Sequence, residues 1–193
     1  MKVALIKYNA GNIQSVAYAL NRMGIEPIIT DSEEEIRASD KVIFPGVGEA
    51  STAMHYLKEK LLDRLIPSLN QPVLGICLGL QLMCRFSGEN ATDCLAIFPL
   101  DVRRFPPEGK VPQIGWNALS QLKNPLFKNI KEGEYVYFVH SYYAPVSEFT
   151  VATCEYLLPF SAALQRDNFY AVQFHPEKSG ETGAKILKNF LEL

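Results

Sequence analysis

Apolar positions recur with two alternating rhythms through the first half of the chain and with a third through the second half. Val3–Tyr8 is an apolar run broken only by Lys7, the length of a strand. Ile13, Val16, Ala17, Leu20 and Met23 then return at helical spacing, with Asn12 placed to cap that helix and Gly24 to stop it. Pro27–Thr30 reads as a second strand. Asp31-Ser32-Glu33-Glu34-Glu35 reads as a short capped helix whose acids suit the positive dipole end. Val42–Pro45 is a third strand, and Met54, Leu57, Leu61 and Leu65 mark another helical face. Val73–Cys77 is a fourth apolar run, followed at once by a helical stretch through Leu78, Leu82 and Phe86. Such alternation implies βαβ crossovers and a parallel sheet covered on both faces.

From about Asp93 the rhythm shortens. Leu100–Arg104, Tyr135–His140, Phe149–Tyr156, Ser161–Arg166 and Tyr170–Phe174 are brief runs separated by Pro, Gly and Asn, and they predict antiparallel or edge strands added to the same sheet. A last helix over Glu181–Leu191 would bury Ala184, Ile186, Leu187 and Phe190. With no repeat, low-complexity segment or linker, residues 1–193 read as a single α/β domain. Its expected architecture is a mostly parallel central sheet flanked by helices, with added antiparallel or edge strands.

Composition narrows the function by exclusion. A net charge of −2 without any block of Lys or Arg gives no support to a nucleic-acid or anionic-membrane surface. The N-terminal apolar stretch is too short for a signal peptide or a membrane span. The four cysteines, Cys77, Cys84, Cys94 and Cys154, form no Cys-x-x-Cys pair, and there are only three histidines, so neither a metal nor a disulfide framework is expected. Reduced thiols in a cytoplasmic protein are the expectation, and no cofactor is called for.

One of those thiols stands in a distinctive setting. Gly75-Ile76-Cys77-Leu78-Gly79 has the Gly-x-nucleophile-x-Gly form of a strained strand-to-helix turn. The turn brings its flanking positions together, and glycine there avoids a Cβ clash. A cysteine at a helix N-terminus feels the positive dipole end, which favours thiolate, and a free Leu78 amide would point towards a developing oxyanion. Alone, the motif is more often that of a buried structural cysteine.

Phe174-His175-Pro176-Glu177-Lys178 supplies what a nucleophile needs. Proline biases His175 towards extended backbone, and in extended chain residues two apart project to one side. Glu177 can then bond one imidazole nitrogen and leave the other to take the thiol proton. Pro45-Gly46-Val47-Gly48, directly after the third strand, could aim a second N–H at the oxyanion, although an ordinary strand-end turn has the same residues. Ser51 stands where a Gly-x-Gly-x-x-Gly dinucleotide motif would place its last glycine.

Together with Tyr8-Asn9-Ala10-Gly11-Asn12, Leu80-Gln81, Ile114-Gly115-Trp116-Asn117, Phe138-Val139-His140-Ser141-Tyr142 and Gln173, these segments resemble the class I, or triad, glutamine amidotransferases over the whole length. Within that family the chain is similar to the glutaminase subunits of imidazole glycerol phosphate synthases, enzymes of histidine biosynthesis. The resemblance implies that Cys77 attacks the glutamine carboxamide, His175 shuttles the proton and Glu177 orients His175. It implies an oxyanion hole from Leu78 and a reoriented amide at Val47–Gly48. Gln81 and Glu89 would hold the substrate's amide end and amino group, and Ser141 and Tyr142 its carboxylate, with Gly46 also contacting substrate. It implies a (βα)8-barrel cyclase partner that receives ammonia, with Asn12, Trp116, Tyr137 and Lys178 near the interface. Cys84, within the helix after the elbow, and Cys154, in an apolar strand, read as core thiols. A glutaminase serving a different synthase, a cysteine hydrolase on a related sheet, and a non-catalytic module that kept the fold are the alternatives. The hydrolases typically carry histidine immediately after the nucleophile, where Leu78 stands here.

Overall fold

The structure is a computed structural model and describes residues 1–8 and 12–193. The Asn9-Ala10-Gly11 portion of the N-terminal motif lies outside the described residues.

In chain order the principal elements are β1 (Val3–Ile6), α1 (Ile13–Asn21), β2 (Ile28–Thr30), α2 (Glu33–Arg37), β3 (Lys41–Phe44), α3 (Ala50–Glu59), α4 (Leu62–Leu65), β4 (Val73–Ile76) and α5 (Leu78–Met83). There follow β5 (Cys84–Ser87), β6 (Thr92–Asp93), β7 (Phe98–Arg104), β8 (Gln113–Ala118), β9 (Tyr135–His140) and β10 (Tyr142–Tyr143). Last come β11 (Thr150–Tyr156), β12 (Leu158–Arg166), β13 (Phe169–Val172) and α6 (Gly180–Leu191).

A seven-stranded sheet in the order β11-β12-β13-β4-β3-β1-β2 forms the centre. Its strands from β13 to β2 run parallel, whereas β11, β12 and β13 pair antiparallel. Layers on both faces explain why β1 reads as a continuous apolar run rather than an alternation. Val3 and Leu5 pack with α1 and α6 through Leu20 and Phe190, while Ala4 and Ile6 pack with α3 through Met54 and Leu57.

Four sequence expectations need correction. The helical face Met54–Leu65 is broken: α3 ends at Glu59, Leu61 takes φ +58° and is exposed, and α4 restarts with Leu62 and Leu65 buried. The stretch after the elbow stops being helical at Met83, so Cys84 and Phe86 belong to β5 and not to α5. The later strands do not all join the main sheet. β10-β7-β5-β6 forms a second sheet and β8-β9 an antiparallel hairpin of its own. Finally, β13 pairs antiparallel with β12 as expected of an added strand, but it is interior to the sheet and pairs parallel with β4 on its other side. A short apolar run cannot reveal its neighbours, which are set by long-range pairing.

That last point positions the chemistry. β13, β4 and β3 are adjacent and parallel, with Val172 opposite Ile76 and Phe44 opposite Gly75. Their carboxyl ends therefore deliver the histidine segment, the cysteine elbow and the Pro45–Gly48 segment to one edge, where open α/β sheets bind their ligands.

Candidate active site

Cys77 sits between β4 and α5 with φ +53° and ψ −105°, a conformation costly for any residue with a side chain. The turn is held by the Cys77 amide donating to the Val172 carbonyl at 2.8 Å and by the Gln81 amide donating to the Cys77 carbonyl at 3.3 Å. Both flanking glycines are required by space. A Cβ on Gly79 would fall 2.0 Å from the Phe44 carbonyl oxygen, and one on Gly75 would meet Met83 Sδ at 2.9 Å and the Gly79 carbonyl carbon at 3.0 Å.

His175 follows β13 in extended conformation, φ −98° and ψ +95°, as its proline neighbour demands. Its backbone is fastened to β9: the His175 amide donates to the Tyr137 carbonyl at 2.9 Å. The Ser179 hydroxyl donates to the His175 carbonyl at 2.6 Å and accepts from the Tyr137 amide at 2.9 Å. His175 Nδ1 and Glu177 Oε1 are 2.8 Å apart, and both side chains are almost wholly buried. Cys77 and His175 line the same cavity. Burial alone would lower the histidine pKa. Interactions with Cys77 and Glu177, and their negative charge, outweigh it and raise the pKa to about 10. The structure thus brings together a cysteine, a histidine that favours its protonated form, and a carboxylate that fixes the ring.

The expected oxyanion donors are not both open. The Leu78 N–H, expected to be free, donates to the Gly46 carbonyl at 3.2 Å, so the donor expected to meet the substrate is occupied by the segment that follows β3. Gly48 has φ +119°, a conformation glycine tolerates, while Val47 and Gly48 line the cavity mouth. That cavity has a volume of about 320 Å³ and is also lined by Cys77, Leu78, His175, Gln81, Glu89, Ser141 and Tyr142.

The family profile described as Glutamine amidotransferase class-I matches residues 4–193. The chain belongs to the class-I glutamine amidotransferases. It is 66% identical over a 196-residue alignment, covering all of both chains, to the imidazole glycerol phosphate synthase subunit HisH of Bacteroides fragilis strain YCH46. It is 47% identical, again covering all of both chains, to the HisH subunit of Escherichia coli strain K12. A solved glutamine amidotransferase structure superposes with TM-score 0.76 at 18% identity, covering 98% of this chain and 97% of that one; this likeness speaks for the fold.

Against this amidotransferase fold, the remaining expected positions separate. Gln81, Glu89, Ser141 and Tyr142 all reach the cavity. Gln81 Nε2 is already committed, donating to the Tyr142 carbonyl at 3.0 Å and to Gln173 Oε1 at 3.2 Å. Glu89 Oε2 accepts from the Ala50 amide at 2.8 Å and so caps α3; burial first, and then Glu49, raise its pKa against that bond. Gly46, expected to contact substrate, is buried and does not line the cavity, its carbonyl turned to Leu78. Trp116 is half exposed and packs edge-on against Tyr137, ring centroids 5.8 Å apart, so it is not a core residue. Lys178 is exposed at the cavity rim. Asn12 does not cap α1 with its side chain. It takes φ +76° and donates through Nδ2 to Glu177 Oε1, the oxygen that also faces His175.

Two neighbours of the thiol were given no role in the sequence reading. Gln173 is wholly buried, with Nε2 3.7 Å from Cys77 Sγ. Its position two before His175, polar at the end of an apolar strand, was the available signal. The Val139 carbonyl lies 3.7 Å from the same sulfur and gave no signal, because any residue has a carbonyl.

Proposed function

We propose that this chain is the glutaminase subunit of imidazole glycerol phosphate synthase. The observation that carries the reading is the buried Cys77–His175–Glu177 constellation opening on a cavity about large enough for one amino acid. Full-length relatives at 47–66% identity that are named as subunits of that synthase support it.

In this reading the proton of Cys77 already rests on the ring nitrogen of His175 not held by Glu177, and the Cys77 thiolate attacks the glutamine carboxamide carbon. The tetrahedral intermediate collapses, His175 returns the proton to the leaving nitrogen, and ammonia departs from a γ-glutamyl thioester. Water activated by His175 then releases glutamate and regenerates the thiol. Gln81, Glu89, Ser141 and Tyr142 hold the substrate.

The developing oxyanion needs donors, and here the Gly46 carbonyl stands in the way. Turning over the Gly46–Val47 peptide would withdraw that oxygen, free the Leu78 N–H and point the Val47 N–H inwards. One backbone rotation would thereby supply two donors. Losing one such donor typically costs ~2.7–4 kcal/mol, or about 10²–10³ in rate. The closed arrangement is accordingly an off state.

A (βα)8-barrel cyclase would receive the ammonia. The exposed aromatic face of the β8-β9 hairpin, with Trp116 and Tyr135, together with Tyr137 and Lys178, suits a docking surface. The hairpin is hydrogen-bonded through Tyr137 to the His175 segment, which gives the partner a mechanical route to the triad. A cytoplasmic enzyme fits this role, and no described helix is long and apolar enough to cross a membrane.

The deciding experiment measures glutamate release from glutamine by the chain alone, then with the cyclase subunit and its nucleotide ligand. Activity that rises strongly only in the full mixture supports both the chemistry and the switch. Strong activity indifferent to the cyclase points to another acceptor, and none in either mixture refutes the glutaminase.

A further inference from the structure

A tyrosine two residues after β1 holds a polar group that the fold leaves without an acceptor. Tyr8 is buried, its ring packed on Phe44 with centroids 5.1 Å apart. Its hydroxyl has no hydrogen-bond partner among the described residues. Phenylalanine would make the same packing without the desolvated hydroxyl, so the oxygen is a net cost in this state.

The position of that oxygen is specific. A Cβ on Gly46 would lie 1.9 Å from Tyr8 Oη and 2.9 Å from Leu78 Cβ. Gly46 is not among the glycines with positive φ, so its backbone conformation does not demand glycine. What demands it is space: without a side chain at 46, the hydroxyl can rest against the Gly46 backbone. The carbonyl of this same residue is the one that accepts from Leu78 and closes the oxyanion hole.

When the Gly46–Val47 peptide turns over, this buried carbonyl loses its donor, and a buried carbonyl without one is costly. We propose that Tyr8 is a positioning residue whose hydroxyl donates to the released Gly46 carbonyl and so holds the oxyanion hole in its open form. The inference rests on the glutaminase reading. The closed state leaves one hydroxyl unsatisfied and the open state satisfies it, which narrows the gap a partner or substrate must close. Tyr8 touches neither glutamine nor the reacting atoms; it acts through the peptide.

The test compares the full chain with its Tyr8→Phe variant in two ways. Hydrogen exchange at the Leu78 amide reports how often the Gly46 carbonyl lets go, without any catalysis. Loss of the Tyr8 bond should slow that exchange about tenfold, the worth of one hydrogen bond, with thermal stability equal to or above that of the parent. Glutamate release, measured with the cyclase subunit present, should fall by a similar factor in kcat, with KM for glutamine unchanged. Unchanged or faster Leu78 exchange in Tyr8→Phe overturns the proposal, as does a fall in kcat matched by a fall in thermal stability. If the parent chain releases no glutamate even with the cyclase, the glutaminase reading fails. The exchange measurement still decides whether Tyr8 governs the peptide.

Discussion

His140 is the group on which the stability of this fold should depend most visibly in mild acid. It lies at the end of β9, enclosed by Phe105, Phe138 and Phe160 at ring-centroid distances of 5.3, 5.6 and 5.2 Å. Nδ1 lies 2.7 Å from the Tyr142 carbonyl and therefore carries the proton in the neutral ring. Nε2 is buried with no partner among the described residues. Protonation would place an N–H without an acceptor, and a charge, inside an aromatic cage. Burial accordingly lowers the His140 pKa from 6.5 to about 4, helped by the nearby His175 and opposed by the bond to Tyr142.

The unfolded chain binds this proton as pH falls through 6.5, whereas the folded chain resists until about 4. Over that window the unfolded state holds more protons, so stability is complete above the upper value and is lost on acidification. At about 1.4 kcal/mol per pH unit the loss amounts to roughly 3 kcal/mol. The perturbation that isolates it is His140→Phe. The Tyr142 carbonyl keeps a donor in Gln81 Nε2 at 3.0 Å, and a phenyl ring suits the cage, so stability at pH 7 should change little. Urea unfolding of both proteins at half-unit steps from pH 7 to 4 subtracts the contribution of carboxylates common to both. The variant should be the more acid-resistant by roughly 3 kcal/mol at the bottom of the range. Parallel pH profiles for the two proteins would refute the argument.

Cys77→Ala should abolish glutamate release, a loss of roughly 10³ or more, while circular dichroism and thermal unfolding remain near those of the parent. Gly79→Ala should cost near or above the upper end of the ~1–3 kcal/mol overpacking range, because the nearest obstruction is backbone, whereas Gly75→Ala should cost less because Met83 can move; chemical denaturation giving the reverse order would refute this. Asn12→Gly tolerates the positive φ but removes the amide that holds Glu177, and should lower kcat about tenfold; Asn12→Asp sets two carboxylates together and should lower it further, measured by initial rates.

Elements were legible in the sequence where a local rule sufficed. Tyr135–His140 and the strands flanking the elbow follow from apolar runs, and α6 from its period. The misreadings share one cause, that pairing partners are remote in sequence. Cys84 and Phe86 continue the helical rhythm of Leu78 and Leu82, yet they extend into β5 because β7 offers a ladder there, Cys84 opposite Phe98. Likewise Leu61 sits on the helical face of Met54 and Leu57, but the chain turns at that residue so that Leu62 and Leu65 reach the core.

The candidate site divides along the same line, between what side chains imply and what backbone orientation decides. Cys77, His175 and Glu177 were readable because glycine, proline and a two-residue spacing each constrain a local conformation. Whether the Leu78 amide is free was not readable, because its acceptor is the carbonyl of Gly46, in the segment after β3, and a carbonyl leaves no mark in a sequence. The inward turn of Asn12 was hidden for the same reason: its partner Glu177 arrives from the far end of the chain. Glycine at 46 was visible from the start, but its meaning was not. It reads as freedom of rotation; in the fold it is also the gap that admits the hydroxyl of Tyr8. The residues proposed to do the chemistry are thus declared by type and spacing, whereas the state they rest in is set by contacts between strand ends, and only the folded chain brings those together.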